Sequence, residues 1–247
     1  MQFLYLCTNF EFMKKKDLVF ITVVLGVIAL FVFISPVTNW YMQFNKEHGM
    51  IMSFLKFALL ATLGEIIALR IKTGNYNEPG FGIIPRMIVW GFLGLGINLA
   101  FTIFATGAPV FLAYMGLKEA PQAMAGSFSG LKLLDAFTIS ATMNLIFAPV
   151  MMTFHKITDI HIVATGGTLR GLLKPIPFGP ILKGINWDVM WNFIFKKTIP
   201  FFWIPAHTIT FLLPAEFRVL FAALLGIALG LILAIGGQKA VKENPKS

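Results

Sequence analysis

Residues 86–115 read RMIVWGFLGLGINLAFTIFATGAPVFLAYM, an apolar run whose one charge, Arg86, stands at its start. A helix rising ~1.5 Å per residue needs ~20 residues to cross ~30 Å of hydrocarbon, and this run exceeds that length. Its apolar residues are continuous rather than alternating, so a helix and not a barrel strand satisfies the backbone in lipid. Working outward, five further stretches meet the same test: 17–37, 50–71, 134–155, 191–213 and 217–235. The expectation is an all-α integral membrane protein, a bundle of about six transmembrane helices.

Composition points the same way. Hydrophobic residues make up 57% of the chain and charged residues 13%, against roughly 25% charged in soluble domains. The net charge of +9 does not signal nucleic acid, because the basic residues form neither a single stripe nor an RNA-binding motif. They sort by membrane side instead. With the amino terminus inside, Lys14, Lys15, Lys16, Arg70, Lys72, Arg86, Lys156, Arg170, Lys174, Lys183, Lys196, Lys197, Lys239, Lys242 and Lys246 fall on the inner side. Lys46, Lys118, Lys132 and Arg218 fall outside, and Lys56 lies within a span. This asymmetry places both termini in the cytoplasm of a bacterial plasma membrane, with a basic inner surface facing anionic lipid.

The expected organisation is a cytoplasmic tail over 1–16, a single helical membrane domain over 17–236 and a second cytoplasmic tail over 237–247. The lysines at 14–16 followed by an apolar run resemble a signal sequence. No small-x-small cleavage site follows, so an uncleaved anchor is expected. Cys7, the one cysteine, permits neither an internal disulfide nor a cysteine metal site. The segment 156–190 is rich in glycine, proline and basic residues and is expected to lie on the cytoplasmic interface. A phosphate cradle around Gly166, Gly167 and Arg170 is an alternative, without the lysine and hydroxyl that a phosphate loop carries.

Proline interrupts two spans in the same way, at Pro109 in GAPVFLAY and at Pro149 in FAPVMMTF. It removes a helical donor and clashes with the preceding turn, so kinks or ends are expected there and at Pro205 and Pro214. The pairing in antiparallel spans is the pattern of inverted-repeat transporters. GFLGLG from Gly91 and GIALG from Gly226 are expected to bring helix backbones close, within one subunit or between copies.

Charges inside spans are costly and call for partners or a function. Lys56, towards the outer face, can snorkel. Glu65 is the candidate buried carboxylate, expected to meet a polar group from another span such as Asn144, His207 or Arg218. His155, Asp159 and His161 are close enough in sequence to supply metal ligands, but the set lacks a further ligand and a second shell, so neither metal nor cofactor is expected. No nucleophile elbow or zinc-protease helix is present, and the chain is not expected to be an enzyme. Arg218 beside Phe217 is expected to act as a clamp at the outer interface, capping carbonyls, pairing with Glu216 or holding a lipid phosphate.

WIPAHTITFLLPAEFRVLF, 203–221, resembles the carboxy-terminal signature of the Mpv-seventeen/PMP-twenty-two family of peroxisomal and mitochondrial membrane proteins. Trp203, His207, Thr210, Phe211, Pro214, Phe217 and Arg218 occupy its places, with one residue fewer before Pro214. Upstream, Asn144 with Phe147-Ala148-Pro149, Gly107 to Pro109, and Gly64-Glu65 resemble further elements of that family in the same order. The chain departs from the pattern at Met143, Leu69, His207 and Thr210. The resemblance implies a distant bacterial-type relative and a solute pore. Two functions are therefore expected as alternatives. One is a solute pore or channel whose polar core is Glu65, Asn144, His207 and Thr210. The other is a non-conducting accessory or scaffold subunit that packs against its own copies or a membrane-complex partner.

Overall fold

The computed structural model describes residues 14–243, with side chains for all of these except 32 and 231–243. Its regular elements are helices, and no strand occurs among the described residues. In chain order they are α1 (Lys15–Phe33), α2 (Ser35–Glu47), α3 (Gly49–Thr73), α4 (Ile83–Tyr114), α5 (Ala120–Ala123), α6 (Gly130–Ala164), α7 (Leu169–Leu172), α8 (Phe178–Gly184), α9 (Val189–Trp203), α10 (Ile204–Leu212) and α11 (Ala215–Glu243). Among the described residues, α3, α4 and α6 are each long and apolar enough to cross a membrane, and α1 with α2 adds a fourth crossing if the pair is one span. The chain is built as a helical membrane-embedded protein. Residues 1–13 and 244–247 lie outside the described residues, and with them Cys7 and most of the expected amino-terminal tail.

One membrane domain over 17–236 was expected, but contacts divide the chain after Gly49 into two units. The first holds α1 and α2. The Asp17 carboxylate accepts from the Lys14 backbone N–H at 2.8 Å and so starts α1. Leu18, Val19, Ile21, Val23, Leu25, Val27, Ile28 and Leu30 are all exposed, apolar around the helix as a lipid-facing helix is. The expected continuous span 17–37 does not form. The helix stops at Phe33, and Pro36 sits in the first turn of α2, where its missing N–H costs nothing; the two helices meet at 81°.

The second unit begins at Met50. Its core gathers Phe57 and Ala61 of α3, Ile97 and Phe101 of α4, Ile139 and Met143 of α6, and Phe211 of α10. The glycines of GFLGLG are used within the chain: a methyl group added at Gly94 would lie 2.6 Å from Cβ of Phe57. Gly64 of α3 likewise meets Ile227 of α11, with only 3.0 Å for an added Cβ. Both contacts let backbones approach as small residues do between membrane helices.

Three expected boundaries are corrected. The helix expected to end at His155 runs on to Ala164, because Ile157, His161 and Ile162 continue its buried face. The expected interfacial segment 156–190 therefore begins with two more turns of α6, then carries α7 and α8. The expected span 191–213 starts at Val189 and changes winding at Trp203, where the wider π register of α9 gives way to α10 with Pro205 in its first turn. The helices do not end at Pro109 or Pro149 but continue through both. Pro214 does fall in the break between α10 and α11.

Candidate functional site

Two left-handed glycines set the geometry of the site. Gly82 (φ +70°) ends the loop before α4, and Gly167 (φ +66°) ends the turn after α6. A Cβ on Gly82 would lie 2.8 Å from Cα of Gly167, and one on Gly167 would lie 2.7 Å from the Gly80 carbonyl. Both the positive φ and the close approach require glycine. This contact brings the first turns of α4 beside the last turns of α6.

Arg86 is one turn into α4 and largely buried. Its guanidinium is held at each nitrogen: Nε donates to the Phe81 carbonyl at 2.7 Å, Nη1 to Glu65 Oε2 of α3 at 2.6 Å, and Nη2 to Asp159 Oδ1 of α6. The Phe81 ring lies 4.4 Å below it. Trp90, four residues on and so on the same face, donates from Nε1 to Glu65 Oε1 at 3.0 Å. His155, four residues before Asp159, places Nε2 3.0 Å from the same oxygen. A carboxylate only accepts, so the network assigns the proton of His155 to Nε2. The Trp90 and His155 rings pack at 4.4 Å. Lys156 reaches Asp159 Oδ2 at 3.5 Å.

Glu65 therefore takes three donors from two other helices, with 19% of its side chain exposed, against 9% for Arg86 and 23% for Asp159. In so dry a setting an unpaired charge is expensive, and the network offsets that cost by giving every guanidinium nitrogen of Arg86 and every carboxylate oxygen of Glu65 and Asp159 a partner.

The network borders a cavity of about 490 Å³ enclosed by α3, α4, α6, α9, α10 and α11. Its near end is formed by Glu65, Trp90, His155, Lys72 and Lys156, and its far end by Phe57, Phe101, Asn144, Trp203 and His207. From Asn144 to Lys156 along α6 is ~18 Å at helical rise. Phe147, Met151 and Met152 of α6 line the wall between, with Met143 beside Asn144, and Met190 comes from α9.

Three of the four expected polar-core residues, Glu65, Asn144 and His207, line this cavity. Thr210 stands behind His207: it is fully buried, donates to the Ala206 carbonyl at 3.0 Å and lies 3.3 Å from His207 Nδ1. Asn144 donates to the Ser140 carbonyl at 2.9 Å. Glu65 meets polar and basic groups from other helices as expected, but not the ones expected. Asn144 and His207 are at the opposite end of the cavity, and Arg218 is engaged elsewhere; the partners are Arg86, Trp90 and His155. The sequence carried a signal for them in two four-residue spacings, Arg86–Trp90 and His155–Asp159, each placing two polar groups on one helix face.

Arg218 caps the end of α10, donating from Nε to the Leu213 carbonyl at 3.0 Å and from Nη2 to the Phe211 carbonyl at 3.1 Å. Glu216, the other expected member of the clamp, is exposed, and no ion pair joins it to Arg218 among the described residues. Neither His155 with Asp159 nor any other group of described residues is arranged to hold a metal ion. No family model, curated protein or solved structure matches this chain.

Proposed function

We propose that the protein is a six-span membrane protein that admits a small solute into the cavity between α3, α4 and α6, from the cytoplasmic side of a bacterial plasma membrane. In this proposal α1 with α2, α3, α4, α6, α9 with α10, and α11 cross in turn, and the basic asymmetry of the loops holds both termini inside. Membership of the Mpv-seventeen/PMP-twenty-two family belongs to the same proposal and rests on the order of its motifs from Gly64 to Arg218.

The observation that carries the function is the cavity itself, bordered at one end by the Glu65 network and at the other by Asn144 and His207. Polar groups at membrane depth face a bundle interior or a wet cavity, and a volume of about 490 Å³ lies in the ~300–1,000 Å³ range of small-molecule sites. The accessory-subunit alternative called for exposed glycine or aromatic faces; Phe92, Phe111, Phe137 and Phe201 are exposed, as side chains facing lipid also are. Gly64, Gly91 and Gly94 instead pack against residues of this chain, which favours the solute site.

Cysteine accessibility tests the proposal. In a Cys7→Ser background, Ala148→Cys and Gly226→Cys each place a thiol on the cavity wall; an added Cβ at Gly226 meets nothing within 4 Å. A membrane-impermeant maleimide should label both from the cytoplasmic face of inverted vesicles and only slowly from the other face. Labelling of neither position from either side would refute the solute site. Tags at both ends, tested for protease access in sealed vesicles, check the topology, and an external carboxy terminus contradicts it.

A further inference from the structure

The residues that line the cavity differ in exposure in a way that points to the ligand. Only Lys72 and Lys156 among them are exposed, and both stand at the Glu65 end. The entrance is therefore marked by two ammonium groups. Behind it the wall is apolar for most of its length, with Ala61, Ala68, Ile97, Phe147, Met151 and Met190.

Among the described residues, charge at the entrance is not balanced. Glu65 and Asp159 supply two carboxylates. Arg86 bonds to both of them, and Lys156 also reaches Asp159. Lys72 makes no ion pair among the described residues. Glu65 cannot serve an incoming cation well, because its oxygens already accept from Arg86, Trp90 and His155. An incoming anion, by contrast, meets Lys72 directly and can share Lys156 with Asp159, gaining charge-assisted bonds that neither lysine fully spends.

Shape selects further within the anions. The cavity is long, ~18 Å along α6 from Lys156 to Asn144, and its methionines are unbranched and adaptable, suited to a flexible chain without fixed shape. Resting on the solute-site proposal, we infer that the cavity takes a single-chain anionic amphiphile of the fatty-acid type, its headgroup between Lys72 and Lys156 and its acyl chain lying towards Phe101.

The test uses the full chain with Cys7→Ser and Ala148→Cys, in phosphatidylcholine nanodiscs, and follows N-ethylmaleimide labelling. Palmitate should slow labelling about tenfold, the effect of ~1.4 kcal/mol of occupancy. Acetate at the same concentration should leave the rate unchanged, since the chain and not the headgroup alone fills the site. Hexadecyltrimethylammonium, an equal chain with opposite charge, should protect much less than palmitate. With Lys72→Gln and Lys156→Gln added, the ratio of rates without and with palmitate should fall towards one. Equal protection by the cationic amphiphile, or full palmitate protection in the double lysine variant, overturns the anionic assignment while leaving the solute site standing. Protection by acetate overturns the acyl-chain part. A thiol at position 148 that does not react even without amphiphile overturns both the ligand and the solute site beneath it.

Discussion

The two ends of the cavity are built on different principles. At the Glu65 end, α3, α4 and α6 each contribute charged or ring nitrogen groups, and the bonds that matter join residues 21, 73 and 90 positions apart. At the Asn144 end, Asn144, Thr210 and Thr208 all bond within their own helices, to carbonyls four residues back. The first arrangement holds three helices together through charges; the second satisfies most of its polar groups locally, with one neutral bond across helices, from the Ser140 hydroxyl of α6 to the Ile204 carbonyl of α10 at 2.7 Å. A cavity wall can lose a local bond with little consequence, whereas a charged group that loses a distant partner leaves the others unpaired in a dry setting.

Replacement of Arg86 should produce the largest effect. Arg86→Met strands Glu65 and Asp159 and should cost about 3–5 kcal/mol, the cost of breaking a buried pair. It is read as a large fall in melting temperature in detergent, and a change no greater than that of a surface substitution would erase the contrast between the ends.

Glu65→Gln keeps an acceptor for Trp90 and His155 but removes the charge facing Arg86, and should cost about 2 kcal/mol, the worth of hydrogen bonds to a charged group. Combined with His155→Leu in a double-mutant cycle, it should show coupling above ~0.5 kcal/mol. Additive effects would mean that the two residues do not act as partners.

How much of this was legible beforehand follows the same division. The apolar runs set the helical membrane class, because length and continuity are local properties of the chain. Glu65, Asn144 and His207 were legible as cavity residues because polar groups in apolar helices have few other places to go. The partners of Glu65 were not. Arg86 reads as a basic residue at the inner end of a span, and His155 with Asp159 as an interfacial pair, until the Gly82–Gly167 contact brings them together. That contact depends on two loops far apart in sequence, and no local pattern announces it. The end of α6 was missed for a simpler reason: the length needed to cross a bilayer says where a span is sufficient, not where its helix stops.

Gly94→Ala sharpens the comparison from the packing side. Its Cβ would press on Phe57 at 2.6 Å, and the overpacking should cost about 1–3 kcal/mol. Thermal stability checks it, and a neutral result would place α3 and α4 farther apart than described. Arg218→Lys retains charge but not the two-carbonyl fork, and should cost about 1 kcal/mol, with Arg218→Ala costing more; equal losses for the two would remove the geometric part of the clamp. The smallest effect belongs to the far end of the cavity. Thr208→Ser keeps the local hydroxyl bond and should stay within ~1 kcal/mol of the parent, a loss set chiefly by one methyl group. A larger loss would show that the Ile204 carbonyl, shared by Thr208 and Ser140, ties α6 to α10 more strongly than neutral bonds of this kind do.

The most direct measurement is the stability of Arg86→Met set beside that of the triple variant Arg86→Met, Glu65→Gln, Asp159→Asn. If these side chains form one charge-compensated unit across α3, α4 and α6, the single substitution is severely destabilising and the triple variant, which leaves no charge stranded, recovers most of the lost melting temperature. If the triple variant is as unstable as the single one or worse, the three residues do not compensate one another, and the unit at the mouth of the cavity does not exist as described.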